Sequence, residues 1–364
     1  MDAIFTSIIS YVEVAALAIF SFVAAMIPST TASEVICIND QIARMEVLAE
    51  EYASGEAEAI NEQYFCNFDI NDTADYSFDD FQMIGTHNSY KLYQSELSYL
   101  ISSTLFPLFG EDGDVMNYEH ENTTDQLNMG IRSFEWDVVE YDGMFEGYLI
   151  QHEAYIDTNS SIPNLKLALE EVLMWSEYNE NHMPITIIIE CKDQAIPSAD
   201  KTAISDSQAV VELSDYISSI LGDTLYTPAD MVGDYDSMLS MRLADDYPSL
   251  AELQGKVLIL LHTGDACLDY AEDVAFEDQD LFITEQTDDS CFTILAQTIT
   301  PIREALEENF MVRCSINVWG SESNQTSEYF VDLGVNILTS DFVYENQSYE
   351  ATRIDEIYTM GIID

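Results

Sequence analysis

The sequence predicts an α/β protein, a TIM-type (β/α) barrel, with a distorted or incomplete barrel as the alternative, and an N-terminal helical extension. Short apolar strands alternate with helical or long connecting segments, which is the pattern of a parallel sheet. The run I-T-I-I-I-E-C at 185–191 is almost entirely apolar, as a strand covered on both faces requires. Because no G-x-G-x-x-G follows the first strand, a barrel is favoured over an open dinucleotide-binding sheet.

The elements follow in a regular order. An extension over residues 33–78 is predicted to hold a helix from Asn39 to Phe65, and residues 79–364 are predicted to form the barrel. Helices are predicted around Leu97–Leu105, after Pro163, at Val210–Leu221 and after Pro301. The predicted strands cover residues 81–85, 130–138, 148–152, 185–191, 257–262, 310–316 and 335–341.

Composition limits the partners of this chain. Among 364 residues there are 11 Lys and Arg against 68 Asp and Glu, which gives a formal net charge of −57. Nucleic acid is excluded as a partner, since binding to phosphates needs clustered basic residues. With 47% hydrophobic residues the chain is globular, and its acidity indicates either a solvated surface, as in a salty medium, or divalent-cation binding. The sequence points to no protein partner.

The N-terminus is typical of an export signal. Residues 1–32 are predicted to be a signal peptide, because the apolar run at 15–27 is short and small residues follow it. A membrane anchor over residues 3–27 is the alternative, since this segment lacks Lys and Arg. We therefore expect a secreted or extracytoplasmic protein. Six cysteines would allow three disulfides or stay as buried thiols, and glycosylation sequons occur at Asn71, Asn122, Asn159, Asn324 and Asn346.

Polar side chains stand where the predicted strands end, which is where barrel enzymes carry their reactive groups. Each alone is usually a hydrogen-bonded core residue or a solvated edge residue, but a buried strand should not end in an inward carboxylate without a partner. Three carboxylates, an amide oxygen and two imidazoles predict a hard-cation site beside an acid/base pair. The residues are His87, Asn88, Glu135, Asp137, His152, Glu190 and Lys192.

The order of four motifs resembles the X-type catalytic region of phosphoinositide-specific phospholipases C. They are G-T-H-N-S-Y at 85–90, G-I-R-S-F-E-W-D-V at 130–138, I-Q-H at 150–152 and P-I-T-I-I-I-E-C-K at 184–192. The resemblance spans residues 79–342 and is closest to the compact calcium-dependent microbial group. The 364 residues contain no D-x-[DN]-x-[DN]-G loop, so we expect a compact enzyme without the extra modules of the large signalling enzymes.

The resemblance implies a Ca²⁺ site formed by Asn88, Glu135, Asp137 and Glu190, and a phosphatidylinositol-type lipid as substrate at a membrane surface. The inositol 2-hydroxyl would attack phosphorus, so that diacylglycerol leaves and a cyclic inositol phosphate forms. It implies three catalytic residues and two substrate contacts. His152 would be the general acid, His87 a donor to the phosphate, Glu135 or a histidine the base, and Lys192 and Arg313 the substrate contacts. Asp341 is left as a supporting or structural carboxylate.

Two other functions stay open at this point. A glycerophosphodiester phosphodiesterase-like metal-dependent hydrolase also uses a barrel and Glu-x-Asp, but that family opens with H-R-G where this chain has T-H-N. An inactive barrel that binds inositol lipids or sugars would not need all of these polar residues. For a membrane substrate, the charge of −57 requires apolar contacts, divalent bridging or high salt, and Leu105, Phe106, Leu108 and Phe109 are candidates for the apolar contacts.

Overall fold

Eight parallel strands form a nearly closed barrel, which confirms the predicted fold class. The computed structural model describes residues 32–57, 59–109, 114, 116–153, 157–192, 200–316, 326–343, 352–354 and 358–363. The strands are β1 (Phe81–Thr86), β2 (Ser133–Asp142), β3 (Glu146–Ile150), β4 (Ile185–Cys191), β5 (Lys201–Thr202), β6 (Val257–Leu261), β7 (Phe282–Ile283), β8 (Phe292–Leu295), β9 (Met311–Ser315), β10 (Ile337–Ser340) and β11 (Met360–Ile362). The barrel order is β7-β6-β4-β2-β1-β10-β9-β8, and its two ends contact each other.

Three strands lie outside this barrel. β3 and β5 pair with β2 in antiparallel fashion, and β11 pairs with β1 in the same way. The predicted strand at 148–152 is therefore not a barrel strand. It is the return arm of a hairpin on β2. The sequence pattern also missed β7 and β8, because strands of two and four residues are too short to show a periodicity.

The helices surround the barrel. They span Ala32–Ser54, Glu96–Phe109, Thr123–Asn128, Leu165–Tyr178, Ser207–Leu221, Pro228–Val232, Met238–Ala244, Leu250–Leu253, Asp265–Asp273, Ile299–Glu307 and Ser327–Asp332. Short 3₁₀ turns lie at Glu62–Tyr64, Ile70–Asp75, Phe78–Asp80, Gly222–Thr224 and Phe276–Asp278. The prediction of a helix reaching Phe65 is wrong, because the helix ends at Ser54 and Gly55 follows with a left-handed φ of 71°.

The N-terminal helix is joined to the rest of the protein by buried polar contacts. Glu34 pairs with Lys201 at 2.6 Å, and both side chains are buried. Arg44 pairs with Glu171 at 2.7 Å. The buried Glu34–Lys201 pair in particular is costly to separate, so the N-terminal helix is packed firmly against the barrel.

The structure bears on the predicted membrane anchor only in part, and it decides between the two alternatives for the cysteines. None of the helices in the described ranges is long and apolar enough to cross a membrane, and the candidate anchor at 3–27 lies outside those ranges. All six cysteines are free thiols, and five of them are buried. Burial raises the pKa of the Cys66 thiol to about 12. The cysteines therefore follow the buried-thiol alternative rather than the disulfide one.

The interior of the barrel changes character along its axis. Side chains alternate along each strand, so Phe134 and Trp136 of β2 pack outward against the helices. Ile188 of β4 packs inward with Leu258 and Leu260 of β6 in a second apolar cluster. Glu135 is the register partner of Ile188, so the inward positions become acidic toward the strand ends.

Candidate active site

Three carboxylates lie at the carboxyl ends of β2 and β4. Glu135 and Asp137 are two residues apart on β2 and therefore lie on the same face. Asp137 and Glu190 are register partners in these neighbouring parallel strands. Glu135 and Asp137 are buried, whereas Glu190 is half-buried. The backbone thus brings together three carboxylates that the sequence analysis assigned to one site.

Two cations offset two of these three charges. Arg313, which is buried on β9, pairs with Glu135. Lys192 Nζ lies 2.7 Å from both Asp137 Oδ2 and Glu190 Oε1. Both predicted substrate contacts are therefore held within the cluster by ion pairs with predicted metal ligands.

The carboxylates differ in how readily they ionise. Burial, reinforced by the charge of Glu190, raises the pKa of Asp137 to about 6. Burial also opposes ionisation of Glu190, but the adjacent Lys192 ammonium outweighs it and holds the pKa of Glu190 below its ordinary value. The same two carboxylates hold the pKa of Lys192 above its ordinary value, although burial acts in the opposite direction. Lys192 is thus a firmly charged part of the site.

The donor set fits a hard cation. Asp137 Oδ1 is buried and accepts no hydrogen bond from the described residues, which is costly for a carboxylate unless a cation satisfies it. Asn88 follows β1 with a left-handed φ of 48°, a conformation that Asn tolerates. Its amide is fixed by tyrosines, since Tyr90 donates to Oδ1 at 3.3 Å and Nδ2 donates to Tyr118 at 3.0 Å.

His87 is oriented by Asp341, a buried carboxylate that directly follows β10. Its Nδ1 lies 2.8 Å from Asp341 Oδ1, and Tyr118 Oη lies 3.3 Å from the same nitrogen. Burial opposes protonation of His87, but Asp341 and then Glu135 outweigh it and raise its pKa to about 9. His87 is therefore a cation at neutral pH that can donate a proton or hydrogen bond through Nε2.

His152 is oriented by a different carboxylate. The β2–β3 hairpin returns to the strand end, where Gln151 N donates to Asp137 O at 3.1 Å. The Nδ1 atom of His152 lies 2.8 Å from Asp157 Oδ2, and the same carboxylate pairs with Lys91. Lys91 is fully buried, donates to Met116 O at 2.9 Å and lies 4.9 Å from the centre of the Tyr118 ring.

Several of these contacts were not expected from the sequence. Asp157 and Tyr118 lie in irregular segments, where no periodicity marks a residue, and the sequence pattern did not single out Lys91. His262 directly follows β6, and its ring lies with Glu135 and Glu190 in a group whose ligand atoms are all within 4.8 Å of one another. The signal for His262 was its place at the end of an apolar strand, the same signal that marked His152.

Comparisons with known proteins identify a family for this chain. The family described as "Phosphoinositide phospholipase C, Ca2+-dependent" matches residues 77–150 and 144–358. No curated protein matches the chain.

Three solved structures are similar to this chain. The calcium-dependent phosphoinositol-specific phospholipase C of a Gram-negative Pseudomonas sp., in its myo-inositol complex, has 15% sequence identity and a TM-score of 0.56, covering 82% of this chain and 99% of that one. Crystal form 1 of its apo form has 16% identity and a TM-score of 0.56, covering 84% and 100%. A Ca²⁺-dependent phosphatidylinositol-specific phospholipase C from Streptomyces antibioticus has 16% identity and a TM-score of 0.49, covering 73% and 94%.

The family match covers most of the chain, including all four motifs and the carboxylates, histidines and cations around them. At 15–16% identity, the Pseudomonas structures support the fold. The chain therefore belongs to the Ca²⁺-dependent phosphoinositide phospholipase C family, enzymes with Ca²⁺ as their cofactor.

Proposed function

We propose that this enzyme cleaves phosphatidylinositol to diacylglycerol and a cyclic inositol phosphate, with the inositol 2-hydroxyl as nucleophile. The observation that carries the proposal is the pair of histidines at the carboxyl end of the barrel. Each is held through Nδ1 by its own buried carboxylate, Asp341 for His87 and Asp157 for His152. Two oriented imidazoles near a carboxylate cluster suit an internal phosphotransfer, because such a reaction needs one proton donor for the leaving group and one for the phosphate.

The residues proposed to hold Ca²⁺ are Asn88, Glu135, Asp137 and Glu190. When bound, the ion would offset phosphate charge and lower the pKa of the attacking hydroxyl. Lys192 and Arg313 keep the carboxylates from repelling an anionic substrate, and after small side-chain movements either could contact the phosphate or the inositol ring.

Each histidine has a distinct part. His152, with Nδ1 engaged by Asp157, presents Nε2 to protonate the departing glycerol oxygen. His87, kept cationic by Asp341, donates to the non-bridging phosphate oxygen that gains charge. Glu135 or a histidine accepts the proton of the 2-hydroxyl.

The substrate is proposed to be reached at a membrane surface outside the cytoplasm. The helix Glu96–Phe109 follows the β1 loop that carries His87, and it exposes Leu97 and Leu100 to 67% and 62%. Exposed leucines on one helix suit apolar contact with lipid, which a protein of charge −57 needs because anionic headgroups repel it. The sequence analysis named residues 105, 106, 108 and 109 as candidates for apolar contact, but their side chains are not among those that the structure describes.

A phosphatidylinositol whose 2-hydroxyl is methylated tests the proposal. It should bind without being cleaved, because the nucleophile is blocked while the lipid and phosphate contacts remain. Unmodified phosphatidylinositol in the same vesicles is the matched control. Cleavage of the blocked lipid at the control rate would contradict the proposal and favour the glycerophosphodiester phosphodiesterase-like reaction, in which another nucleophile attacks.

A further inference from the structure

His262 lies beside the carboxylates of the proposed Ca²⁺ site without being one of its predicted ligands. It directly follows β6, the neighbour of β4, and its backbone N donates to Ile189 O at 2.8 Å. The ligand atoms of His262, Glu135 and Glu190 are all within 4.8 Å of one another. One ion with bonds of about 2.0–2.5 Å reaches three such atoms after small side-chain movements.

The orientation of the His262 ring suits a metal ligand. Its Nδ1 lies 3.3 Å from both the carbonyl oxygen and Oγ1 of Thr263. A proton on Nδ1, donated to that carbonyl, leaves the lone pair on Nε2 for coordination. Metal-binding histidines are commonly fixed by such a hydrogen bond from the other ring nitrogen.

The two carboxylates keep an oxygen for a metal in spite of their ion pairs. Arg313 engages Oε2 of Glu135, and Lys192 engages Oε1 of Glu190, so one oxygen of each carboxylate lies outside the ion pair. A cavity of about 160 Å³ is lined by Glu190 and His262, although not by Glu135, and it leaves room for a water ligand beside these two residues.

We infer that Glu135, Glu190 and His262 form a mixed nitrogen and oxygen site for a borderline transition-metal ion such as Zn²⁺. Imidazole suits such ions, whereas Ca²⁺ prefers oxygen ligands, so His262 favours the transition metal over Ca²⁺. Because the two sites share Glu135 and Glu190, Zn²⁺ and Ca²⁺ exclude each other. The inference rests on the proposed function in that it takes the Ca²⁺ site to include these two carboxylates.

Isothermal titration of the metal-free full chain with Zn²⁺, and separately with Ca²⁺, tests the inference. His262→Gln should weaken Zn²⁺ binding by about tenfold or more, the size expected when a metal site loses a ligand, and change Ca²⁺ affinity by less than about threefold. The matched control is His152→Gln, a histidine at the same end of the barrel but outside the group, which should leave Zn²⁺ affinity unchanged. Wild-type protein saturated with Zn²⁺ should take up Ca²⁺ only as Zn²⁺ is displaced.

Equal Zn²⁺ affinity in wild type and His262→Gln would overturn the inference, and so would an equal loss in the His152→Gln control. Asp137→Asn separates this failure from failure of the proposed function, since Asp137 belongs to the Ca²⁺ site alone. Weaker Ca²⁺ binding in Asp137→Asn would leave the proposed function standing even where the Zn²⁺ result is negative.

Discussion

Replacing Asp157 by Asn should both destabilise the protein and slow catalysis, for two separable reasons. Lys91 and Asp157 are exposed to only 0% and 1%, so the substitution leaves a buried ammonium without its counter-charge. The Met116 carbonyl and the Tyr118 ring are neutral and compensate only in part. Removing one partner of a buried ion pair costs about 3–5 kcal/mol. The melting temperature should therefore fall by roughly 5 °C.

The double variant Lys91→Met/Asp157→Asn separates stability from catalysis. With both charges gone, most of the lost stability should return, because a buried pair is often replaceable by neutral groups of similar size. His152 would still lack the carboxylate that orients it, so cleavage of phosphatidylinositol should stay about 10²-fold or more below wild type. Glu170→Gln is the control, since its pair with Lys166 spans 3.5 Å between side chains that are 38% and 55% exposed, and surface pairs contribute little.

Thermal unfolding followed by circular dichroism and initial rates on phosphatidylinositol vesicles give the two readouts. A wild-type melting temperature for Asp157→Asn would refute the buried-pair argument. Full activity in the double variant would refute the orienting role of Asp157.

Three further predictions follow from the site and the core. Asp137→Asn should weaken Ca²⁺ binding and abolish turnover while the fold survives, since fewer like charges share one pocket and Lys192 keeps Glu190 as its partner. Glu135→Gln should weaken Ca²⁺ binding in the same way but also lower the melting temperature, because the buried Arg313 loses its counter-charge. Unchanged calcium affinity in both variants, by calorimetry, would remove them from the site. His152→Ala should slow phosphatidylinositol cleavage by about 10²–10⁴-fold but affect a substrate with a phenol leaving group much less, and equal losses on the two substrates would show that His152 is not the acid. Burial lowers the pKa of His182 from 6.5 to about 4 in the folded protein. The unfolded chain therefore binds the proton more readily, and the free energy of unfolding should decrease by about 3 kcal/mol as the pH falls from above 6.5 to 4. Urea unfolding should show this loss in wild type and a smaller one in His182→Gln, whereas equal pH slopes would contradict the assignment.

The barrel was predictable because its long strands carry a strong pattern. β4 is unbroken and apolar, and the polar residues that end β2 and β4 mark the functional end. The antiparallel direction of β3 could not be predicted, because an apolar run such as the one before His152 does not show whether its strand lies parallel or antiparallel to its neighbour. Only the short turn after β2 makes the strand return antiparallel.

The carboxylates and histidines could be found from the sequence because their spacing is local. Glu135 and Asp137 share a face through a period of two, and His87 stands in a recognisable motif. The contacts that hold them were not visible, although Arg313 and Asp341 were named as candidates, because the contacts of Asp157 with Lys91 and of Arg313 with Glu135 join positions far apart in the chain. Contacts of that kind depend on how the barrel closes, which no local pattern encodes.

The most direct test of the central claim is phosphorus NMR of the water-soluble product formed from phosphatidylinositol, with and without a calcium chelator. We expect the signal of a five-membered cyclic inositol phosphate to appear first, and no product when the chelator is present. Excess Ca²⁺ added back after chelation should restore the cyclic signal. An acyclic inositol phosphate as the first product, or an undiminished rate in chelator, would contradict attack by the 2-hydroxyl at a Ca²⁺ site.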